Sequence, residues 1–407
     1  MRHAHEPLAQ GLPEGWLTLA PERLPLISYA CEWSDGQLRA AALATLEIQR
    51  RALRHGMTLK DASSFNIQFL GSRPVFIDLL SFTRSGPERA WVAYRQFVEH
   101  FLAPLALRRY LPGSQVLAGA TLAGVPIALA SRALPARSWA NAGVLLHVHL
   151  HARSAGAATS SPTSRPAAAP STDFRSQLAE SLTRAVTSLA PSRKPSTWSD
   201  YRANNTYSAE AAQAKRSFVE AAVRRAAPRR VLDLGANDGH YTHVVAALGV
   251  PCAAVEADAE CCERIHALSA TSPHADRVNT LRVDLTNPTP AHGWAHGERA
   301  SFVDRTHCDL TLSLALIHHL SIAHHVPFGA IADFLAQLAP HAVVEYVPLD
   351  DPMVRQLLAA RTGVTPAYLS TLSEEAFRAA FDERFECLER SAPLAGGRIL
   401  HHFARRG

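Results

Sequence analysis

From about residue 198 onwards, the chain alternates short apolar runs with longer stretches of helical periodicity. Runs of about four to eight apolar residues between amphipathic stretches are typical of strands that alternate with helices. The predicted strands lie at 231–234, 253–256, 281–283, 310–316 and 342–347, and the predicted helices at 209–225, directly after Gly239, at 260–268 and at 331–338. This alternation predicts a parallel sheet covered by helices on both faces.

The carboxyl-terminal end departs from this pattern. Two apolar segments, "RFECLERS" and "GRILHHFAR", flank Gly396 and Gly397. Two such segments around a glycine turn predict an antiparallel hairpin. We therefore expect an α/β, Rossmann-like sheet that finishes with an antiparallel pair of strands.

A segment rich in Ser, Ala and Pro separates this region from the first half of the chain, between Arg153 and Thr172. Its lack of large apolar residues predicts a flexible linker. The residues that follow recur at the spacing of an amphipathic helix: Phe174, Leu178, Leu182, Val186 and Leu189. We predict a mainly helical domain at 1–152, a linker with one helix at 153–197, and the α/β domain at 198–407.

Composition fits a globular chain of 407 residues, with 47% hydrophobic and 19% charged residues. The net charge of +5 is spread out, without a basic stripe interleaved with aromatic residues, so we expect no nucleic-acid partner. No apolar run reaches the roughly 20 residues that span a bilayer. The first residues lack the apolar core of a signal peptide, and the six cysteines form no CxxC pair. We expect a cytoplasmic protein with reduced thiols.

The stretch "VLDLGANDGHYTHV", which begins at Val231, predicts a buried strand, a glycine turn and a helix. A dinucleotide fingerprint needs glycines at 235, 237 and 240, but Asn237 and His240 occupy two of these positions. A nicotinamide-dependent oxidoreductase is therefore disfavoured. Asn tolerates the left-handed conformation better than other non-glycine residues, so the turn itself is expected to form.

Asp233 is an acidic residue within an otherwise apolar strand, where an unpaired carboxylate is costly. "VLDLGANDG" resembles the first motif of class I S-adenosylmethionine-dependent methyltransferases, an acidic-x-Gly-x-Gly-x-Gly pattern, with a departure at Asn237. The resemblance implies that Asp233 helps to hold the cationic amino end of the cofactor. It also implies that the turn, with Gly235, Ala236, Asn237 and Gly239, packs against the cofactor's sugar.

Later segments extend the resemblance in the order that this family has them. Glu256 ends the second strand in "CAAVEAD", where the family binds the ribose hydroxyls, and Asp284 and Leu285 follow the third strand, where it contacts adenine. "DLTLSLALIHHL", which contains Ser313, resembles the fourth motif, beneath the methyl group. Each residue alone has a structural alternative, a solvated strand end or a turn residue. Their order and spacing together favour S-adenosylmethionine as the cofactor.

Methyl transfer from a sulfonium needs little covalent help, because positioning alone supplies about 7–11 kcal/mol for well-aligned reactants. A base is needed only where the acceptor must lose a proton. His318 and His319 follow the fourth predicted strand, and we take His318 as the candidate base. The alternative is that paired histidines here begin a helix or pack against it.

Other residues near the expected site have two interpretations. Glu345 and Tyr346, at the end of the fifth strand, are further candidates for the site. Tyr201 and Tyr207 precede the first helix of the domain and are expected either to close over the cofactor or to form a hydrophobic plug.

In the first half, Asp61, Asn66 and Asp78 have the spacing of a kinase catalytic loop and the following metal-binding aspartate. "NIQFLGSRPVFID" predicts the short hairpin between them. Residues 1–59 contain no lysine and are too few for an upper lobe, so we expect a degenerate kinase-like domain without phosphoryl transfer. The alternative is a chance match to the kinase spacing on a helical scaffold. Segments of both halves, "WVAYRQFVEHFLAPLAL" and "VVEYVPLDDPMV" among them, are similar to a bacterial group of class I methyltransferases, some of them labelled nodulation proteins.

"HVHLH" places His147, His149 and His151 on one face of a strand, whereas on a helix only the first and last would align. Without a carboxylate or cysteine nearby, we expect no metal site. The prediction for the whole chain is a methyltransferase with an unidentified acceptor, whether a small molecule, a glycan or a protein. The alternative is a non-catalytic scaffold that keeps the fold and binds a partner.

Overall fold

The computed structural model describes residues 3–4, 20–86, 91–157, 172–191, 196, 209–362 and 364–407. The first half is mainly helical, as the sequence predicts. Its helices are α1 (Asp35–Arg54), α2 (Tyr94–Phe97), α3 (Ala103–Tyr110), α4 (Ile127–Ala133), α5 (Ala142–Val144) and α6 (His151–Ala157). Its short strands form three antiparallel pairs: β1 (His3–Ala4) with β2 (Ala20–Pro21), β3 (Met57–Leu59) with β6 (Phe82–Arg84), and β4 (Ile67–Leu70) with β5 (Arg73–Phe76).

Helix α1 contributes to the core of the first half. It begins with a capping box, in which Ser34 N donates to Gln37 Oε1 and Gln37 N donates to Ser34 Oγ. Its apolar face carries Leu38 and Leu46, which are buried in one cluster with Phe97. Burying each such side chain contributes about 1.5–3 kcal/mol, so packing rather than helix propensity stabilises this element.

The hairpin predicted in the kinase-like segment forms as strands β4 and β5. It brings Asn66 and Asp78 to the hydroxyl of Ser81: Asn66 Nδ2 donates to Ser81 Oγ over 3.1 Å, and Ser81 Oγ donates to Asp78 Oδ2 over 2.6 Å. Asp61 Oδ1 accepts from Ser63 N. Among the residues that the structure describes, no cluster of three or more His, Cys, Asp or Glu side chains is arranged to hold a metal ion.

The "HVHLH" segment is helical, with a π-helical turn (Leu145–Leu150) that leads into α6. The ring nitrogens of His147 lie 2.9 Å from the Tyr94 hydroxyl and 2.9 Å from Ser181 Oγ. Those of His149 are each 2.9 Å from a serine hydroxyl. Both imidazoles are thus hydrogen-bonded within the first half.

Helix α7 (Thr172–Ser188) forms where the amphipathic pattern predicts it. The sequence assigns this helix to a linker, but its apolar residues Leu182 and Val186 are fully buried in the core cluster of the first half. It packs against α1 and α5, so it belongs structurally with the first half. The predicted domain boundaries otherwise stay a prediction.

The second half contains a seven-stranded sheet in the order β12–β13–β11–β10–β7–β8–β9. Its strands are β7 (Val231–Leu234), β8 (Cys252–Glu256), β9 (Val278–Arg282), β10 (Leu310–Ser313), β11 (His341–Tyr346), β12 (Phe385–Arg390) and β13 (Ile399–Arg405). Strands β7 to β11 are parallel, and β13 is antiparallel to both β11 and β12. The predicted fold class, a Rossmann-like sheet with a terminal antiparallel hairpin, is confirmed.

Helices cover the sheet, as the alternation predicts. They are α8 (Ala209–Ala226), α9 (His240–Ala247), α10 (Ala259–Thr271), α11 (Phe302–Arg305), α12 (Ile317–His324), α13 (Phe328–Leu338), α14 (Pro352–Ala359), α15 (Pro366–Ser370) and α16 (Glu374–Asp382). The central strands are buried along their length, β7 and β10 at every residue. Strand β10 is shorter than predicted, because the chain turns after Ser313 and passes through a left-handed residue, Ala315, before α12.

The first half docks against the β9 edge of the sheet through hydrogen bonds. Asn279 Nδ2, on β9, donates to the carbonyl oxygen of Phe69 over 3.1 Å, and Gln37 Nε2 donates to the carbonyl oxygen of Thr280 over 3.1 Å. Glu32 of the first half forms a buried ion pair with Arg305 of the second half. Leu26 crosses the same boundary and packs in the core of the second half. The two halves therefore share a polar and partly apolar interface.

None of the described helices combines the length and apolar character needed to cross a membrane. Tyr201 and Tyr207, which the sequence predicts as a lid or a plug, lie outside the described residues.

Candidate functional site

The glycine turn connects β7 to α9 and contains three residues with positive φ: Gly235 (71°), Asn237 (51°) and Gly239 (76°). Asn237 adopts the left-handed conformation that the sequence predicts for it. A Cβ on Gly235 would lie 2.9 Å from Leu316 Cδ1, and one on Gly239 would lie 3.0 Å from a side-chain atom of Ile265. Both positions thus require glycine for conformational and for steric reasons.

Glu256 fixes the turn from the neighbouring strand. Its Oε2 accepts from Asn237 N and its Oε1 accepts from Asp258 N, each over 2.8 Å. Burial raises the pKa of this carboxyl, while the backbone donors act in the opposite direction. Glu256 therefore has both oxygens at the mouth of the turn, where a ligand with hydroxyl groups can replace or share the backbone donors.

A cavity of about 230 Å³ lies at the carboxyl ends of β7, β8, β9 and β10. Of the predicted cofactor residues, the structure places five around it: Gly235, Asn237, Glu256, Asp284 and Leu285. Apolar side chains supply much of the remaining wall: Val255, Val283, Leu314, Leu316 and Leu320. Few polar groups among apolar walls, at the strand ends of a parallel sheet, are typical of a cofactor site.

Asp284 is exposed at the rim of this cavity. Its Oδ1 accepts from both Thr286 N, over 2.8 Å, and Thr286 Oγ1, over 2.7 Å. These bonds form a local turn that holds the carboxylate at the end of β9. Among the described residues, none donates a hydrogen bond to the second oxygen, Oδ2.

Five other predicted site residues do not line the cavity: Asp233, Ala236, Gly239, Ser313 and His318. Asp233 has an exposed fraction of 3%, and its Oδ2 accepts from Thr242 Oγ1 over 2.7 Å. Burial raises its pKa to about 6, against the opposite effects of the Thr242 hydrogen bond and of Lys215. Asp233 is therefore an ionised, nearly inaccessible carboxylate beneath the turn at pH 7.

The two histidines at the start of α12 differ in their surroundings. His318 is 4% exposed, and neither of its ring nitrogens has a hydrogen-bond partner in the described part of the chain. His319 lines the cavity, with its ring centroid 4.1 Å from that of His318. Burial lowers the pKa of His319 to about 4 and that of His318 well below its usual value, with Arg398 contributing to both. Both imidazoles are therefore neutral at pH 7.

Two features of the site are not recognisable in the sequence. One is Ala315, whose φ of 51° bends the chain at the cavity wall, and no residue type signals it. The other is a buried ionic network: Lys215 Nζ lies 2.6 Å from Glu345 Oε2, Arg398 Nη1 lies 4.0 Å from Glu345 Oε1, and Arg398 Nε donates to Asp351 Oδ2 over 2.8 Å. The sequence offers Glu345, within the apolar run "VVEYV", as a candidate, but it does not indicate Lys215 and Arg398 as its partners.

Tyr346, the other candidate at the end of β11, is engaged in core packing. Its hydroxyl donates to the carbonyl oxygen of Leu372 over 3.0 Å, and its ring stacks on Phe377. Burial raises its pKa to about 12. Tyr346 therefore contributes to the core beneath α16.

Comparison with known proteins gives one close sequence relative. The chain is 34% identical over 392 residues to the nodulation protein NoeA of Rhizobium meliloti (strain 1021), covering 94% of this chain and 80% of that protein. No family model matches the chain.

Similar solved structures include the N-methyltransferase NodS from Bradyrhizobium japonicum WM9, with a TM-score of 0.35 and 12% identity over 49% of this chain and 98% of that one. They also include the bifunctional kinase-methyltransferase WbdD, with a TM-score of 0.34 and 14% identity over 51% of this chain and 41% of that one.

Proposed function

The chain belongs to the family of the nodulation protein NoeA, and from this premise we propose that it is an S-adenosylmethionine-dependent methyltransferase. The observation that carries the proposal is the convergence of the glycine turn, Glu256 and Asp284 on one cavity at the carboxyl ends of three neighbouring parallel strands. The terminal antiparallel hairpin adds support, because the sheet of class I methyltransferases, which the sequence resembles, also ends in an antiparallel strand.

The cavity residues suit the adenosine part of this cofactor. Glu256 would accept hydrogen bonds from the two ribose hydroxyls, with its geometry already set by the backbone of Asn237 and Asp258. Val255 and Leu285, apolar residues of the cavity wall, would pack against the adenine ring, and Asp284 at the rim would accept from its amino group. The contacts combine apolar packing with a few fixed acceptors, which gives orientation as well as affinity.

We assign Asp233 an electrostatic role. Its carboxylate is buried beneath the turn, where a negative charge in a low-dielectric environment favours a cationic ligand. Because its pKa is about 6, this charge is present at pH 7 and is lost progressively below pH 6. The affinity for the cationic cofactor is therefore expected to fall as the pH decreases through this range.

When bound, S-adenosylmethionine supplies a methyl group that is already activated by its sulfonium. The chain's residues position the reactants and, where the acceptor is protonated, remove a proton. His318 is the proposed base on the strength of the sequence; it does not line the cavity, and its ring centroid lies 4.1 Å from that of His319, which does. His319, which faces the cavity, is the residue against which this assignment is tested.

The first experiment measures cofactor binding by thermal shift on the full chain. S-adenosylmethionine is expected to raise the melting temperature, whereas NADH is not. Glu256→Ala is expected to abolish the shift, and Glu386→Ala, which removes an exposed carboxylate on β12, is expected to retain it. If folded protein shows no shift with the methyl donor, the proposal fails and the chain is better described as a scaffold.

The second experiment identifies the acceptor and tests the base. Labelled S-adenosylmethionine is added to an extract of cells that lack the protein, with and without the purified chain, and the labelled product is isolated. His318→Gln is expected to keep cofactor binding and to lower kcat about 10²-fold or more, the usual effect of losing a general base. If His319→Gln has this effect and His318→Gln does not, the base is assigned to the wrong histidine.

A further inference from the structure

A second and larger cavity, of about 600 Å³, lies between the two halves of the chain. The first half contributes the end of α3 and the residues after it, together with Arg137. The second half contributes Arg282 at the end of β9 and the start of α10. This volume is within the range of about 300–1,000 Å³ that is typical of small-molecule sites.

Four carboxylates line this cavity, and each is engaged by a group of the protein itself. The pairs are Asp35 with Arg108 (3.3 Å), Asp258 with Cys261 N (2.9 Å), Glu260 with Arg264 (3.2 Å) and Glu263 with Gly36 N (2.6 Å). Asp35 and Glu260 are thus paired with arginines, whereas Asp258 and Glu263 accept hydrogen bonds from uncharged backbone N–H groups.

Three arginines of the same cavity are in a different situation. Arg109, Arg137 and Arg282 have no carboxylate within ion-pair distance anywhere in the described ranges. Arg109 and Arg137 flank Tyr110, with each guanidinium carbon 5.9 Å from the ring centroid. Arg282 Nε is buried and has no hydrogen-bond partner among the described residues. The cavity therefore contains three guanidinium groups without a carboxylate partner among the described residues, although Asp258 and Glu263 also line it.

We propose that this cavity binds a small molecule that carries phosphate groups. Guanidinium groups match phosphate geometry with two parallel N–H donors, and several of them around one cavity favour a multiply charged anion. Tyr110, with its ring centroid 5.9 Å from each of two guanidinium carbons, adds apolar ring surface for the organic part of such a ligand.

The two cavities share their dividing wall. Glu256 and Ala257 line the smaller cavity, and Asp258 and Ala259, the next residues, line the larger one. Strand β9 likewise ends with Arg282 at the larger cavity, directly before Val283 at the smaller one. The proposed site stands independently of methyl transfer, because none of its arginines lines the smaller cavity.

The proposal is tested with inorganic pyrophosphate as the probe, titrated into the full chain by calorimetry at low ionic strength. Removing one phosphate-binding guanidinium costs a charge-assisted hydrogen bond, so Arg109→Gln and Arg282→Gln are each expected to weaken binding roughly tenfold or more. Arg132→Gln removes the same charge from an exposed position on α4 and is expected to leave the affinity unchanged. Circular dichroism verifies that each variant is folded.

Two results would overturn the proposal: no binding of pyrophosphate to the folded wild-type chain, or an equal loss in Arg132→Gln and in the cavity variants. Parallel titrations with inorganic phosphate and with a nucleoside diphosphate distinguish a free anion from a nucleotide as the ligand. The S-adenosylmethionine thermal shift is measured on the same variants. A variant that loses pyrophosphate binding but keeps the S-adenosylmethionine thermal shift would show that this site is separate from the proposed cofactor site.

Discussion

Lowering the pH from 7 to 5 is expected to destabilise the folded chain strongly, because several imidazoles are buried in their neutral form. His100, His147, His401 and His402 are each at most 5% exposed, and burial lowers the pKa of each to about 4. An unfolded histidine has a pKa of about 6.5. Between these values the unfolded chain binds protons that the folded chain excludes, so stability is complete above about pH 6.5 and is lost as the pH falls.

The magnitude follows from the number of groups. Each imidazole contributes about 1.4 kcal/mol per pH unit within this window, and four together contribute up to about 5 kcal/mol per unit. Asp233 acts in the opposite direction, because its folded pKa of about 6 lies above the ordinary value of 3.8 and the folded state takes up its proton first. The net loss is up to about 4 kcal/mol per pH unit, a large part of a typical stability of about 5–15 kcal/mol.

Urea unfolding followed by circular dichroism at pH 7, 6, 5.5 and 5 measures this effect. The urea concentration at the midpoint is expected to fall with pH, while the dependence of the unfolding free energy on urea concentration stays constant. Replacing one imidazole, in His402→Leu, is expected to reduce the pH dependence by about 1.4 kcal/mol per unit. His55→Leu, at an exposed position on the surface of the first half, serves as the control. A free energy of unfolding at pH 5 within about 1 kcal/mol of its value at pH 7 would refute the reasoning.

Three further predictions concern the site and its surroundings. Gly235→Ala is expected to cost about 2–4 kcal/mol of stability and to weaken cofactor binding, because it combines a left-handed alanine with a contact on Leu316, as thermal unfolding would reveal. Lys215→Met is expected to destabilise the fold by about 3–5 kcal/mol, measured by urea unfolding, since it removes a cation from the buried Glu345 carboxylate. Asp233→Asn is expected to raise the dissociation constant for S-adenosylmethionine at pH 7.5 and to remove its increase below pH 6, measured by calorimetry.

Each of these predictions has a matched comparison. Gly249→Ala also places alanine at a positive φ, 90°, but meets no atom within 4 Å, so it isolates backbone strain from the steric contact. The double variant Lys215→Met/Glu345→Gln should be more stable than Lys215→Met alone, and equal stability would argue against the ion pair. Asp350→Asn, at an exposed position, should retain both the affinity and its pH dependence. If it behaves like Asp233→Asn, the buried charge is not responsible.

The sheet was predictable because its central strands are buried on both faces and therefore appear as continuous apolar runs between helices. Strand β9 shows where this signal fails. It begins at Val278, three residues before the predicted start, because Asn279 and Thr280 are polar. The side-chain amide of Asn279 donates to the carbonyl oxygen of Phe69 in the first half, and such a distant partner leaves no trace in local periodicity.

The sequence indicated residues of the candidate site only where a polar side chain is energetically costly in its surroundings, as for a carboxylate in an apolar strand. Asp233 and Glu256 attract attention as carboxylates in apolar strands, and the glycine turn does so through its spacing. The orientation of α12 depends instead on the left-handed Ala315, so the sequence does not indicate that His319 lines the cavity while His318 lies behind it. The burial of Asp233 beneath the turn likewise depends on Thr242, nine residues further on.

The docking of the first half on β9 has a practical consequence for anyone dividing this protein. A bare edge strand offers its backbone groups to any neighbouring chain and promotes aggregation. The isolated second half would expose β9, while Gln37 would lose its acceptor in the isolated first half. Truncated versions are therefore expected to self-associate, whereas the two halves produced together should recover a monodisperse species.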